Sequence, residues 1–238
     1  MSVDVHLSRG DHFEMHRFAT KQGSIGDAMH WSVGDFDGDG KTDLMKFWNA
    51  NGLMRADVHL SKGDHFEMKR FATDQGGMWD GMKWFVGDFD GDGKADLMKL
   101  WKDGHQMNAD VHISDGAGFA MHRFATDQGS IDDSMRWVTG DFNGDGKLDV
   151  AKFWSDGGKA DFDVHLSTGT SFVMKRFATK QGSIGPSMHW SVGDYNGDGK
   201  DDLLKYWNDG DKMTVDVHAS NGTSFAMQRF ATKQGGMW

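Results

Sequence analysis

The chain has 238 residues with 33 Gly, 1 Pro, 10 Trp, 17 Phe and no Cys, a length sufficient for one or two domains and a substantial core. The aromatic content argues against disorder, and the missing Cys removes disulfides, thiolate zinc sites, iron–sulfur clusters and Cys nucleophiles together. No apolar run approaches the ~18 residues of a membrane span, and a formal charge of −10 disfavours nucleic-acid phosphate as a partner. Met1–Leu7 lack a basic region followed by an apolar stretch, so no signal peptide is expected in this chain.

Self-comparison sets the architecture. Asp4-Val5-His6-Leu7 recurs from Asp57, Asp110, Asp163 and Asp216, and Met15-x-Arg17-Phe18-Ala19-Thr20 recurs from Met68, Met121, Met174 and Met227. Gly34-Asp35-Phe36-Asp37-Gly38-Asp39-Gly40-Lys41 recurs from Gly87, Gly140 and Gly193, always 53 residues on. A half-repeat over 1–26 is therefore followed by repeats 27–79, 80–132, 133–185 and 186–238, read as one domain.

Within the repeat the apolar period is two. Val3, Val5 and Leu7 alternate with Asp4, His6 and Ser8, which predicts a strand. After the Gly10-Asp11 turn, Phe13–Thr20 is a second, Met29–Gly34 a third and Leu44–Trp48 a fourth. Asn51-Gly52, Asp103-Gly104, Asp156-Gly157 and Asp209-Gly210 mark hairpin reversals before the next Asp-Val-His strand. Four short antiparallel strands per ~53 residues, with Trp at fixed places, predict an all-β fold, a β-propeller of four-stranded blades. The half-repeat leaves this either five-bladed-like or completed by oligomerisation, because unpaired strand edges promote association.

The recurrent Asp-rich loop predicts a metal site. Its side chains are Asp35, Asp37, Asp39 and Asp43; Asp88, Asp90, Asp92 and Asp96; Asp141, Asn143, Asp145 and Asp149; and Asp194, Asn196, Asp198 and Asp202. The carbonyls of Lys41, Lys94, Lys147 and Lys200 stand at the seventh loop position. Alternating hard oxygen donors select Ca²⁺, about four ions in all, one per loop. An EF-hand is excluded, because its twelfth-position Glu is replaced by Lys46, Lys99, Lys152 and Lys205 and the flanks are strands. The competing reading is an Asx-stabilised turn without metal. The loops hold 14 of the 36 acidic residues, so four divalent ions would bring −10 to −2.

With these residues in view, the chain resembles the FG-GAP/VCBS repeat family, on the match of Gly34–Leu44 and its three copies. The resemblance implies propeller blades with Met29–Phe36 innermost, Phe66–Thr73 outermost and Ca²⁺ in the loop between strands. It also implies an extracellular or cell-surface setting. The chain is further similar to fungal propeller lectins that bind amino sugars between blades, sharing Gln-Gly…Trp, an Asp loop and a hairpin. It departs from them in carrying Met-x-Trp where their His-x-Arg aligns, so their sugar contacts do not transfer residue by residue.

Two Trp ladders run through the repeats: Trp31, Trp84, Trp137 and Trp190, and Trp48, Trp101, Trp154 and Trp207. Trp79 and Trp238 stand apart in a Gln-Gly-Gly-Met-Trp variant of the interblade loop. The indoles are either core wedges between blades or stacking platforms for sugar rings. Gln22, Gln75, Gln128 and Gln181 lie at a rim, either capping loop backbone or donating and accepting toward a ligand. The ligand-site candidates are these Gln residues with Trp31, Trp84, Trp137 and Trp190. His6, His59, His112, His165 and His218 follow Asp-Val, as structural ladders or ligand contacts. Asp, His and Ser at alternate positions of one strand stand ~7 Å apart and do not converge as a triad. The repeated Arg either pairs with the Asp-Val-His carboxylates or faces anionic ligands. The expectation is a non-enzymatic, Ca²⁺-stabilised lectin with repeated interblade sites for glycans, without membrane insertion, associating through its terminal half-repeats. The alternative is a protein-binding or scaffolding propeller of an adhesin, toxin or secreted enzyme.

Overall fold

The computed structural model describes residues 1–19 and 21–236; Thr20, Met237 and Trp238, where the sequence placed a strand end and the last indole, lie outside the described residues. The chain opens with β1 (Val3–Ser8) and β2 (Phe13–Ala19), an antiparallel two-stranded sheet. The first four-stranded sheet is β3 (His30–Gly34), β4 (Asp43–Ala50), β5 (Leu53–Ser61) and β6 (Phe66–Ala72). The second is β7 (Lys83–Gly87), β8 (Asp96–Asp103), β9 (Gln106–Ser114) and β10 (Phe119–Ala125). The third is β11 (Arg136–Gly140), β12 (Asp149–Asp156), β13 (Lys159–Ser167) and β14 (Phe172–Ser183). The fourth is β15 (His189–Gly193), β16 (Asp202–Asn208), β17 (Lys212–Ser220) and β18 (Phe225–Gly236). In each sheet the strands lie in sequence order, and no helix occurs among the described residues. The fold is all-β, of the β-propeller class, with four four-stranded antiparallel blades.

Two compact units divide the chain. One comprises Met1–Asp88, Asp92–Trp101 and Ala109–Arg123; the other comprises Phe89–Gly91, Lys102–Asn108 and the chain from Phe124 onward. In the first, Phe36, Phe47, Met54, Val58 and Phe119 are core residues, and Trp84 packs against them. Val3, Val5 and Leu7 of β1 close over Phe18 and Phe66, which joins the N-terminal hairpin to the first blade. In the second unit Phe142, Phe153, Phe162, Phe177 and Phe225 form the core, with Trp190 packed on it. Within a unit, β3 runs beside β7 and β11 beside β15, and in the second unit β14 also runs beside β18.

The middle strands are buried on both faces. On β5 the apolar Ala56, Val58 and Leu60 are covered, and so are Asp57, His59 and Ser61. The alternation in the sequence therefore separates two buried faces, one apolar and one hydrogen-bonded, instead of core from solvent. His59, His112, His165 and His218 are fully covered, and their Nδ1 atoms lie 3.4, 3.4, 3.4 and 3.2 Å from the Oε1 of Gln22, Gln75, Gln128 and Gln181. Each Gln amide nitrogen is spent on a backbone carbonyl, so its oxygen faces the imidazole and requires the Nδ1–H tautomer.

Burial, reinforced by the adjacent lysine, holds these imidazoles neutral. It pushes His112 and His165 down to about 3, and His59 and His218 down to about 4. The unfolded chain takes up these protons near pH 6.5, ahead of the folded one. Their contribution is complete above that pH and lost as pH falls toward 4 and then 3. Each group then costs about 2 kcal/mol between pH 6.5 and 5. Urea unfolding at the two pH values measures this: His112→Gln is expected to reduce the acid-induced loss by about that amount, and an unchanged loss would remove this histidine from the account.

Candidate metal loops and interblade grooves

Each Asp-rich loop folds around its first carboxylate. In the first, Asp35 Oδ1 accepts from Gly38 N at 2.8 Å and Asp39 N at 3.1 Å, and Oδ2 accepts from Gly40 N at 2.8 Å. Gly40, at φ +83°, takes the left-handed conformation that this turn requires. The ninth-position carboxylate locks the loop to the blade: Asp43 Oδ2 accepts from Phe36 N at 2.9 Å and Oδ1 from Ser61 N at 2.7 Å. Asp149 is bound likewise by Phe142 N and Ser167 N, and Asp202 by Tyr195 N and Ser220 N.

Burial raises the Asp43 carboxyl above its ordinary range, and the charges of Asp37 and Asp35 add to the rise. Asp149 is pushed up to about 7 by burial, with Asp141 and Asp145 adding. Carboxylates this close favour a shared cation. Ligand oxygens of Asp35, Asp37 and Asp43 lie within 4.8 Å of one another, as do those of Asp88, Asp90 and Asp96. An all-oxygen set of this density fits a hard divalent ion. Asp39 instead turns to Lys41, whose Nζ donates at 2.8 Å, while Lys62 Nζ donates to Asp37 at 3.1 Å. In the third and fourth loops Asn143 and Asn196 stand at the third position, and each accepts from the backbone N–H two residues on.

The repeated Arg is resolved as an ion-pair partner: Arg17, Arg70, Arg123, Arg176 and Arg229 bind Asp4, Asp57, Asp110, Asp163 and Asp216. In the four full blades the same carboxylate takes a buried lysine that sequence reasoning had treated only as a failed EF-hand ligand. Lys46, Lys99, Lys152 and Lys205 lie 3.4, 3.2, 3.5 and 3.0 Å from it. Each lysine also donates to a carbonyl of the preceding interblade loop, Ser24, Gly77, Ser130 or Ser183. The second Trp ladder lies against this cluster. Arg70 stands 5.2 Å above Trp48, Arg123 4.9 Å above Trp101, Arg176 5.0 Å above Trp154 and Arg229 5.2 Å above Trp207.

The first ladder wedges between blades. Trp84 packs on Phe47 of the preceding blade at 4.8 Å, and Trp190 on Phe153 at 4.6 Å. Trp137 stacks on His165, and Trp31 is partly exposed. The Gln residues cap backbone: Gln22, Gln75, Gln128 and Gln181 donate to Phe66, Phe119, Phe172 and Phe225 carbonyls at 2.8, 2.5, 2.7 and 2.6 Å.

Among the described residues a groove opens in each unit at the same register of the repeat. In the first unit a cavity of about 180 Å³ is lined by His30, Asn49, Met78, Trp79, Asp80 and Trp84, among others. In the second unit Ser134, Arg136, Ser155, Ile184, Gly185 and Pro186 line about 280 Å³. Of the first groove's residues named above, the sequence reading selected Trp84 and not His30, Asn49, Met78, Trp79 or Asp80; the Gly-Gly-Met-Trp variant was the signal for Trp79.

No protein-family model matches the chain, and no curated protein matches it. Among solved structures it is similar to the Tc holotoxin pore of Photorhabdus luminescens, at 13% identity and a TM-score of 0.50, over 95% of this chain and 13% of that one. It is also similar to the exotype rhamnogalacturonan lyase YesX, at 14% identity and a TM-score of 0.44, over 95% of this chain and 55% of that one. A Bacillus licheniformis rhamnogalacturonan lyase gives 15% identity and a TM-score of 0.43, over 93% and 56%. The chain thus spans about an eighth of the toxin chain and just over half of each lyase. At such identities the toxin likeness is one of fold.

The capping geometry gives Gln75 a measurable structural role. Gln75→Ala strips a partner from the Phe119 carbonyl and from the His112 ring. Unfolding free energy is expected to fall by about 1–3 kcal/mol. Chemical denaturation checks it, and an unchanged stability would release Gln75 for ligand contact.

Proposed function

We propose that the chain is a non-enzymatic, calcium-stabilised propeller that binds glycans at its interblade grooves. The observation that carries this reading is the recurrence of a small groove at one register of the repeat in both units, with Trp84 on the wall of the first. An indole face beside polar groups suits the C–H face and hydroxyls of a sugar ring. Several weak sites on one chain gain avidity on a multivalent surface. Of the ligand candidates, Trp84 faces the groove, and the Gln residues hold the loops that shape it. The non-catalytic reading is supported by how the repeated polar residues are used. Asp57 pairs with Lys46 and Arg70, His59 faces Gln22, and the Ser114 hydroxyl donates to the Phe36 carbonyl at 2.6 Å.

Calcium is the ion proposed for the Asp-rich loops, held by Asp35, Asp37 and Asp43 and their counterparts. Bound there, it would neutralise converging carboxylates and fasten the loop between two strands. Millimolar-range affinity, as in extracellular modules, accords with the proposed extracellular or cell-surface setting. At an ion concentration 100-fold above Kd, each site adds about 2.7 kcal/mol to folding. Thermal melting with Ca²⁺ and with chelator is expected to differ by many degrees, and Asp37→Ala is expected to narrow the difference. Coincident melts would remove calcium from the proposal.

A glycan array run with folded, Ca²⁺-loaded protein tests the binding reading. Selective binding is expected, lost on chelation together with the fold and weakened by Trp84→Ala. Silence across a broad array would replace the glycan reading with that of a protein-binding propeller.

A further inference from the structure

The two grooves occupy the same register but are built from different chemistry. At the position of Trp79 the second groove has Gly185, at Asp80 it has Pro186, and at His30 it has Arg136. Arg136 reaches across its own groove and donates to the Met188 carbonyl at 2.9 Å and the Gly185 carbonyl at 3.0 Å. No aromatic residue lines that groove.

In the first groove Trp79 is 50% exposed and is held in place from three sides. Its ring lies over Gly77, where an added Cβ would come within 2.7 Å of the indole. Its edge meets Trp101 in a T-shaped contact with centroids 6.0 Å apart. The Asn49 amide fixes the adjoining backbone by donating to the Met78 carbonyl at 2.5 Å. A half-exposed indole with this support is a preorganised platform and loses little freedom when a ligand stacks on it. His30, which also lines the groove, stacks on Phe47 with centroids 5.0 Å apart. The exposed carboxylate of Asp80 lies at the rim, offering acceptors and negative charge. The cavity of about 180 Å³ leaves room for one sugar ring.

The geometry points to an uncharged pyranose ring as the ligand of the first groove, stacked on Trp79, with Asp80 taking hydroxyl hydrogen bonds and rejecting acidic sugars. This rests on the glycan reading above and narrows it: the sites are unequal, and the Arg136 groove offers no stacking surface.

Indole ¹⁵N–¹H NMR of the Ca²⁺-loaded chain tests it, with the Trp79 resonance assigned from Trp79→Phe. The probes are glucose, galactose and N-acetylglucosamine, set against glucuronate and galacturonate. At least one neutral sugar is expected to shift the Trp79 and Trp84 resonances, with the uronates weaker by about tenfold or more. Trp79→Ala should lower the affinity about tenfold. Asp80→Asn alters an exposed side chain, so the fold is expected to persist and uronate binding to rise toward that of the neutral sugars. Neutral sugars that shift other indoles but leave Trp79 unmoved would overturn this assignment while the glycan reading stands. Uronates binding as well as their neutral counterparts would overturn the role of Asp80. No shift from any probe, with a silent array, would overturn both readings.

Discussion

Every full blade is organised around one buried carboxylate. Asp57, Asp110, Asp163 and Asp216 each receive an ammonium and a guanidinium, and the ammonium is almost entirely out of water. A buried ion is costly unless paired and hydrogen-bonded. The lysine meets that condition only when its strand, the carboxylate's strand and the interblade loop all stand in place, because its third partner is a loop carbonyl. Removing one member would leave a buried charge uncompensated, at a cost of about 3–5 kcal/mol. The cluster therefore works less as a source of net stability than as a constraint on register. A one-residue slip of β4 against β5 would carry Lys46 to the opposite face, away from Asp57.

The constraint extends outward from each blade. The lysine fixes a carbonyl of the loop that enters its blade, and the same loop presents its Gln to that blade. That Gln caps a Phe carbonyl and faces a buried imidazole, while the Asp-rich loop is held by Asp43 and its counterparts through two backbone N–H groups. These contacts are polar, directional and buried, and they repeat at fixed sequence separations. Such a network stabilises one arrangement of blades over its neighbours in register space. The converging carboxylates of the Asp-rich loop are where the same frame gathers negative charge instead of cancelling it, which makes that loop one that could hold a cation.

Much of this was legible in the sequence, and the parts that were not share a cause. A 53-residue period with a two-residue apolar alternation is visible without coordinates, as are the Asp spacing and the Gly that permits its turn. Lys46 was not legible as a core residue, because a lysine on alternate strand positions reads as a solvent face, and burial on both faces of β4 depends on adjacent blades. The role of Gln22 was open for a similar reason: its acceptor is the Phe66 carbonyl, 44 residues away. Arg70 was undecided between Asp57 and an anionic ligand until pairing of β5 with β6 set the two opposite each other. Local chemistry was readable, whereas partners supplied by strand pairing or by a distant loop were not.

The division between constant and variable positions within the chain carries the functional argument. The Lys, Asp, Arg, Gln and His of the frame are the same in all four full repeats, as their shared geometry demands. The groove lining is not. His30 becomes Lys83, Arg136 and His189; Asn49 becomes Lys102, Ser155 and Asn208; the position before Asp27 reads Gly26, then Trp79, Asp132, Gly185 and Trp238. Apolar core positions vary too, Ala56 becoming Phe162 and Val215, so what matters at the groove is the kind of side chain that stands there. Trp79 also goes with a second change, because its indole lies where a side chain on residue 77 would stand: that residue is Gly, as is Gly236 ahead of Trp238, whereas the two repeats without the Trp carry Ser130 and Ser183. The Gly and the Trp change together in both repeats that carry them, and in the first of these they lay a half-exposed indole along a groove.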